Sequence, residues 1–200
     1  ERIVAAILGE TSDATERIVG RGEGNPFFLE ELARAARQDA DSRPDGSVPT
    51  TVQDVLAARI DQLDAGDKSA VQVASVLGRE FSLDLIESVW DGDGALLPAL
   101  DELKRREFLH EQHGGTERTF VFKHALTRDV AYDGLLEERR RSLHARAGAA
   151  VERSYAGRLH EKYELLAFHY SRSSERERAA DYLELANRKA AWYAFSSALD

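Results

Sequence analysis

Apolar positions along residues 1–38 recur at helical spacing and predict three short helices. The third is the best defined. Asn25 can cap it, Pro26 suits its first position, and Glu30 and Glu31 fall early in it, where the helix dipole favours acids. Phe28, Leu29, Leu32, Ala33 and Ala36 then form a stripe to be buried. The polar stretch 39–49 carries two prolines and a glycine and reads as a linker. Beyond it, Thr51 opens a helix with Val52, Val55, Leu56, Ile60 and Leu63 on one face.

Between residues 67 and 124 the order of patterns changes. Residues 70–77 are apolar nearly all round, which a helix tolerates only when it is buried on all sides. Shorter helical patterns follow at 82–90 and 95–106. Two β-like runs, 107–112 and 118–123, flank His113-Gly114-Gly115-Thr116, a hairpin signal. Three helices followed by a hairpin predict a winged helix-turn-helix, assigned with its leading helix to 50–126.

From His124 onward the pattern is helical again. Thr127 can cap a segment running to about Leu136, with Gly134 as a break, and a charged helix from Glu137 continues through Leu143, Ala147 and Val151. These connecting helices occupy 127–158. Over 159–200, Tyr163, Leu166, Ala167 and Tyr170, then Ala179, Leu183 and Ala186, follow the large-and-small pattern of a tetratricopeptide-like helical hairpin. One such repeat cannot bury both its faces, so further repeats are expected. The predicted fold class is mainly α: a helical first subdomain, a winged helix with a small hairpin, and the start of a helical repeat array.

Composition narrows the function. The chain is 42% hydrophobic and 32% charged, enough for a core under a charged helical surface. There is no cysteine, hence no disulfide or thiolate metal site. No apolar run approaches membrane-spanning length and no signal peptide is seen, so a cytoplasmic location without membrane contact is expected. A net charge of −9 disfavours broad contact with nucleic acid. The chain lacks methionine, opens in a helical pattern at Glu1 and stops in one at Asp200, as expected of an internal piece of a longer protein.

Three segments, taken in order, carry a family resemblance. They are Glu-Gly-Asn-Pro-Phe-Phe-Leu-Glu-Glu-Leu at 23–32, Val-Pro-Thr-Thr-Val-Gln-Asp-Val-Leu-Ala-Ala-Arg-Ile-Asp at 48–61, and Phe-Lys-His-Ala-Leu-Thr-Arg-Asp-Val-Ala-Tyr at 122–132. With them the chain resembles the signal-transducing ATPases with numerous domains (STAND ATPases), especially the branch joined to bacterial class III adenylate/guanylate cyclases and to some transcriptional regulators. The resemblance implies an upstream P-loop domain that binds ATP or ADP, a helical lid at 1–38, the winged helix, and repeats that sense a protein or ligand. It places Gly24, Asn25 and Pro26 in a lid motif whose proline packs on adenine. It places His124 where related proteins reach the β-phosphate of ADP, although the local sequence is Lys123-His124-Ala125 in place of Met-His-Asp.

Simpler readings stand beside these. Asn25-Pro26 is also an ordinary helix start, and His124 could cap a helix or bond the carbonyls ending a strand. Gly20, Gly22 and Gly24 do not have the spacing of a phosphate-binding loop, and a helical pattern precedes them. The third winged-helix helix could read DNA, but Asp101, Glu102 and Glu107 offset Lys104, Arg105 and Arg106. Arg139, Arg140, Arg141, His144 and Arg146 read as a solvated face balanced by Glu137 and Glu138. The six histidines have no metal-ligand spacing, and no catalytic constellation stands out. The expectation is thus a non-catalytic regulatory arm of an ATP-binding signalling protein, whose parent is an ATPase and carries a nucleotide cyclase as output. The alternative is a winged-helix transcription regulator, binding DNA directly or through a separate output domain.

Overall fold

The computed structural model describes residues 4, 18–20, 26, 28–33, 51–112 and 117–197, with side chains omitted at 193 and 195–197. The linker expected at 39–49 and the hairpin turn at 113–116 lie outside the described residues. The chain divides into two compact units, Glu1–Leu63 and Asp64–Asp200.

In the first unit, the described residues before 34 are helical. Val4, Ile18, Leu29, Leu32 and Ala33 are buried, as are Val52, Val55, Leu56, Ile60 and Leu63. Helix α1 (Val52–Asp61) opens on a capping box: Thr51 Oγ1 accepts from Asp54 N–H at 3.1 Å, and Asp54 Oδ2 accepts from Thr51 N–H at 3.1 Å. Glu31 is a buried carboxylate, 4% exposed, and pairs with Arg59 on α1.

The second unit begins with α2 (Ala65–Leu77), β1 (Glu80–Ser82), α3 (Leu83–Val89), α4 (Leu96–Arg105), β2 (Leu109–Gln112) and β3 (Thr119–Phe122). The sheet is antiparallel in the order β1-β3-β2, with Phe81 opposite Phe120 and His110 opposite Val121. This is the winged-helix arrangement expected from the hydrophobic pattern, with one addition: β1 has only three residues, too few to alternate visibly. Phe81 anchors it, stacking on Phe120 at 5.9 Å and meeting Phe122 edge-on at 6.3 Å. As its all-round apolar sequence requires, α2 buries every residue from Val73 to Leu77. Gly78, at φ 125°, ends it in a conformation open chiefly to glycine.

Helix α5 (Ala125–Asp133) starts three residues earlier than expected. Thr127 is not its cap; it lies inside the helix and is buried, while His124 occupies the cap position. Strand β3 ends at Phe122 and Lys123 N–H bonds the Phe108 carbonyl at 3.0 Å, so the chain turns at once into the helix. Helix α6 (Glu137–Ser154) packs against α2 and α3 on one side and against α7 (Tyr163–Ser171) on the other. Gly134 closes α5, as its position suggested.

Helix α7 pairs with α8 (Arg176–Ser197) as a helical hairpin. Leu166, Ala167, Tyr170 and Ala179 are buried, in line with the repeat pattern, but Leu183 is 46% exposed and Trp192 64%. Tyrosines join the two helices: Tyr170 stacks on Tyr182 at 5.6 Å, and Tyr163 lies 6.2 Å from Tyr182. Among the described residues, no helix is long and apolar enough to cross a membrane.

Candidate functional site

Of the four residues singled out for nucleotide contact, Gly24 and Asn25 lie outside the described residues. Pro26 is helical and exposed in the first unit. His124 belongs to the second unit, half-buried at the start of α5. Its ring does not take the capping hydrogen bond; its backbone carbonyl accepts from Thr127 N–H at 3.2 Å.

The face that would read DNA in a winged helix is charge-balanced from within. Lys104 Nζ lies 2.8 Å from both Asp101 Oδ1 and Glu111 Oε2. Arg105 and Arg106 both bond Glu102, and Arg118 Nε bonds Glu111 Oε1 at 2.7 Å. Hydrogen bonds from Arg105 and then Arg106 hold the Glu102 carboxyl down to about 2. Those from Arg118 and then Lys104 do the same for Glu111. Both carboxylates are therefore ionised throughout the physiological range. The cations of α4 and the hairpin are largely engaged.

The expected solvated face of α6 is in part a fastening. Arg139 and Arg146 both bind Asp91 in the α3–α4 loop, and Arg146 also donates to the Trp90 carbonyl at 2.9 Å. Arg141 pairs with Glu137 along the helix, as anticipated. His144 departs furthest from the expectation: it is fully buried. Its Nδ1 lies 3.0 Å from Nδ1 of His169 on α7, also buried, and its Nε2 lies 2.9 Å from the Tyr132 hydroxyl on α5.

The Nδ1–Nδ1 contact needs one N–H and one lone pair, so at least one of the two imidazoles is neutral. Burial, and after it the charges of His169, Arg172 and Arg140, lower His144 to about 3. Burial and then Arg172 lower His169 to about 4. Spacing could not reveal this pair, because its members sit 25 residues apart on different helices. Among the described residues no group of three or more histidine or acidic side chains could hold a metal.

On the next helical turn, Gly148 allows α7 to approach: a Cβ there would lie 2.8 Å from the Tyr170 ring. Arg178 then joins Tyr170 Oη, at 2.9 Å, to Glu152, which also accepts from Tyr182 Oη at 2.7 Å. Helix α6 is thus bonded to the winged helix at one face and to both hairpin helices at the other. No protein-family model matches the chain, and no curated protein matches it.

Proposed function

We propose that this chain is the regulatory arm of a multidomain ATP-binding signalling protein. In this reading an upstream nucleotide-binding domain holds ATP or ADP against the lid segment through Gly24, Asn25 and Pro26, with His124 as a second contact. The winged helix then serves as a protein-packing module that couples nucleotide state to the C-terminal repeats and to an output domain. A class III adenylate/guanylate cyclase is the proposed output. The segment itself has no catalytic role.

The observation that carries the proposal is α6. One helix packs on the winged helix, fastened through Asp91, and on the hairpin, so a displacement at the repeats is felt at the winged helix without a flexible joint. A relay needs this kind of contiguous body, together with differential affinity of each ligand for two arrangements. The internal pairing of Lys104, Arg105, Arg106 and Arg118 favours packing against protein over DNA, since a duplex reader needs uncompensated cations.

Calorimetric titration of ADP and ATP tests the proposal, on this chain and on a chain extended through the upstream nucleotide domain. Binding by the extended chain only, weakened by Pro26→Ala, is the expected result. Equal affinity in the Pro26→Ala variant removes the lid contact, and tight binding by this chain alone contradicts an upstream site.

A further inference from the structure

A cavity of about 960 Å³ opens where the first turns of α6 and α8, the end of α5 and the α7–α8 turn meet. Four arginines line it: Arg140, Arg141, Arg172 and Arg176. Its one acidic lining residue, Glu137, is engaged by Arg141. Among the described residues, Arg140, Arg172 and Arg176 have no carboxylate partner, in a chain whose 36 acids outnumber its 27 lysines and arginines. The convergence is local and runs against the charge of the molecule.

Two of these guanidiniums are held ready. Arg140 lies over the Tyr132 ring at 4.9 Å, and among the described residues its guanidinium makes one hydrogen bond, a 3.3 Å contact to the Leu135 carbonyl. Its Nε is buried with no hydrogen-bond partner among the described residues, which leaves the terminal nitrogens as the donors a ligand could meet. Arg172 lies over Phe168 at 4.0 Å and reaches the Phe168 carbonyl only at 3.4 Å. Each guanidinium thus rests over an aromatic ring while keeping N–H groups to spare. The field of the same two arginines reaches His144 behind the cavity wall and adds to the burial that keeps it neutral.

The remaining wall is of two kinds. Residues 172–174 form the turn into α8, whose N-terminal end favours negative charge. Ala179, Ala180 and the exposed Leu183 supply an apolar side. The volume falls in the range of small-ligand sites, and the acidic surroundings disfavour a polyanion laid across the surface. Several guanidinium forks around one recess suit a dianion with three free oxygens better than a single carboxylate.

We propose that this cavity binds a small phosphomonoester, its phosphate held by Arg140, Arg172 and Arg176 and its organic body against Ala180 and Leu183. The site is separate from the proposed lid contacts and does not depend on them.

Phenyl phosphate and inorganic phosphate, titrated calorimetrically into the chain in a non-phosphate buffer, test it. Phenyl phosphate is expected to bind saturably and more tightly than inorganic phosphate. Arg172→Gln and Arg176→Gln, both at exposed positions, are each expected to weaken it by about tenfold, the effect of losing one charge-assisted hydrogen bond. Arg188→Gln, outside the cavity, leaves binding unchanged. Absence of saturable binding, or affinity indifferent to Arg172→Gln and Arg176→Gln, overturns the assignment. Tighter capture of a phosphoserine peptide than of phenyl phosphate overturns the small-molecule reading. Arg172→Gln leaves adenine-nucleotide retention by the extended chain intact, so failure here and failure of the lid contact are separately visible.

Discussion

Individual side chains decide how this molecule responds to acid. His144 and His169 are buried and neutral, so the folded chain does not take up the protons that the same imidazoles bind, below about pH 6.5, once unfolded. The folded pKa values are depressed, which makes their contribution fully present above pH 6.5 and lost as pH falls towards about 4 for His169 and about 3 for His144. Glu102 and Glu111, held down to about 2, lose their contribution only below about pH 4.5, outside the upper part of that window. Urea unfolding should therefore show a stability loss on the order of 2–4 kcal/mol between pH 7.5 and 5. Replacing both rings, His144→Leu with His169→Leu, should flatten that slope. An unchanged slope would place the acid sensitivity elsewhere.

At the scale of elements, most helices were legible because their apolar positions repeat at helical spacing and each face has somewhere to be buried. The helix start at Thr51 and the all-round apolar α2 were readable from local sequence alone. What escaped needed tertiary information. Strand β1 exists because Phe81 finds Phe120 and Phe122, and the histidine pair because α6 and α7 lie side by side. Thr127 resembled a cap by residue type, but packing buried it inside α5.

Gly148 makes a sharp test of the α6–α7 contact. In an exposed helix Gly→Ala gains about 1 kcal/mol from propensity. Here the added methyl meets the buried Tyr170 ring, and Gly148→Ala should cost roughly 1–3 kcal/mol as overpacking does. Thermal unfolding of the variant checks the sign: a higher melting temperature would mean the ring moves aside freely.

For the second unit as a whole, the account rests on α6 making the winged helix and the hairpin one cooperative body. Asp91 is the fastening to probe from the winged-helix side. Asp91→Ala releases Arg139 and Arg146 together and should lower stability by about 1 kcal/mol, the modest value of a partly solvated pair, as read from urea midpoints. No change would show that apolar packing alone holds α6 in place. The site residues were less legible than the fold. Pro26 and His124 came from a resemblance of local motifs, whereas the arginines of the cavity converge from separate stretches of chain that only folding brings together.

Native-state hydrogen exchange of Gly148→Ala, compared with the unaltered chain, tests the central claim most directly. If α6 couples the two parts, the perturbation at the hairpin face lowers protection in α2 and β3 of the winged helix by about as much as in α7. Loss confined to α6, α7 and α8, with α2 and β3 unchanged, would show that the hairpin opens independently and would contradict the relay.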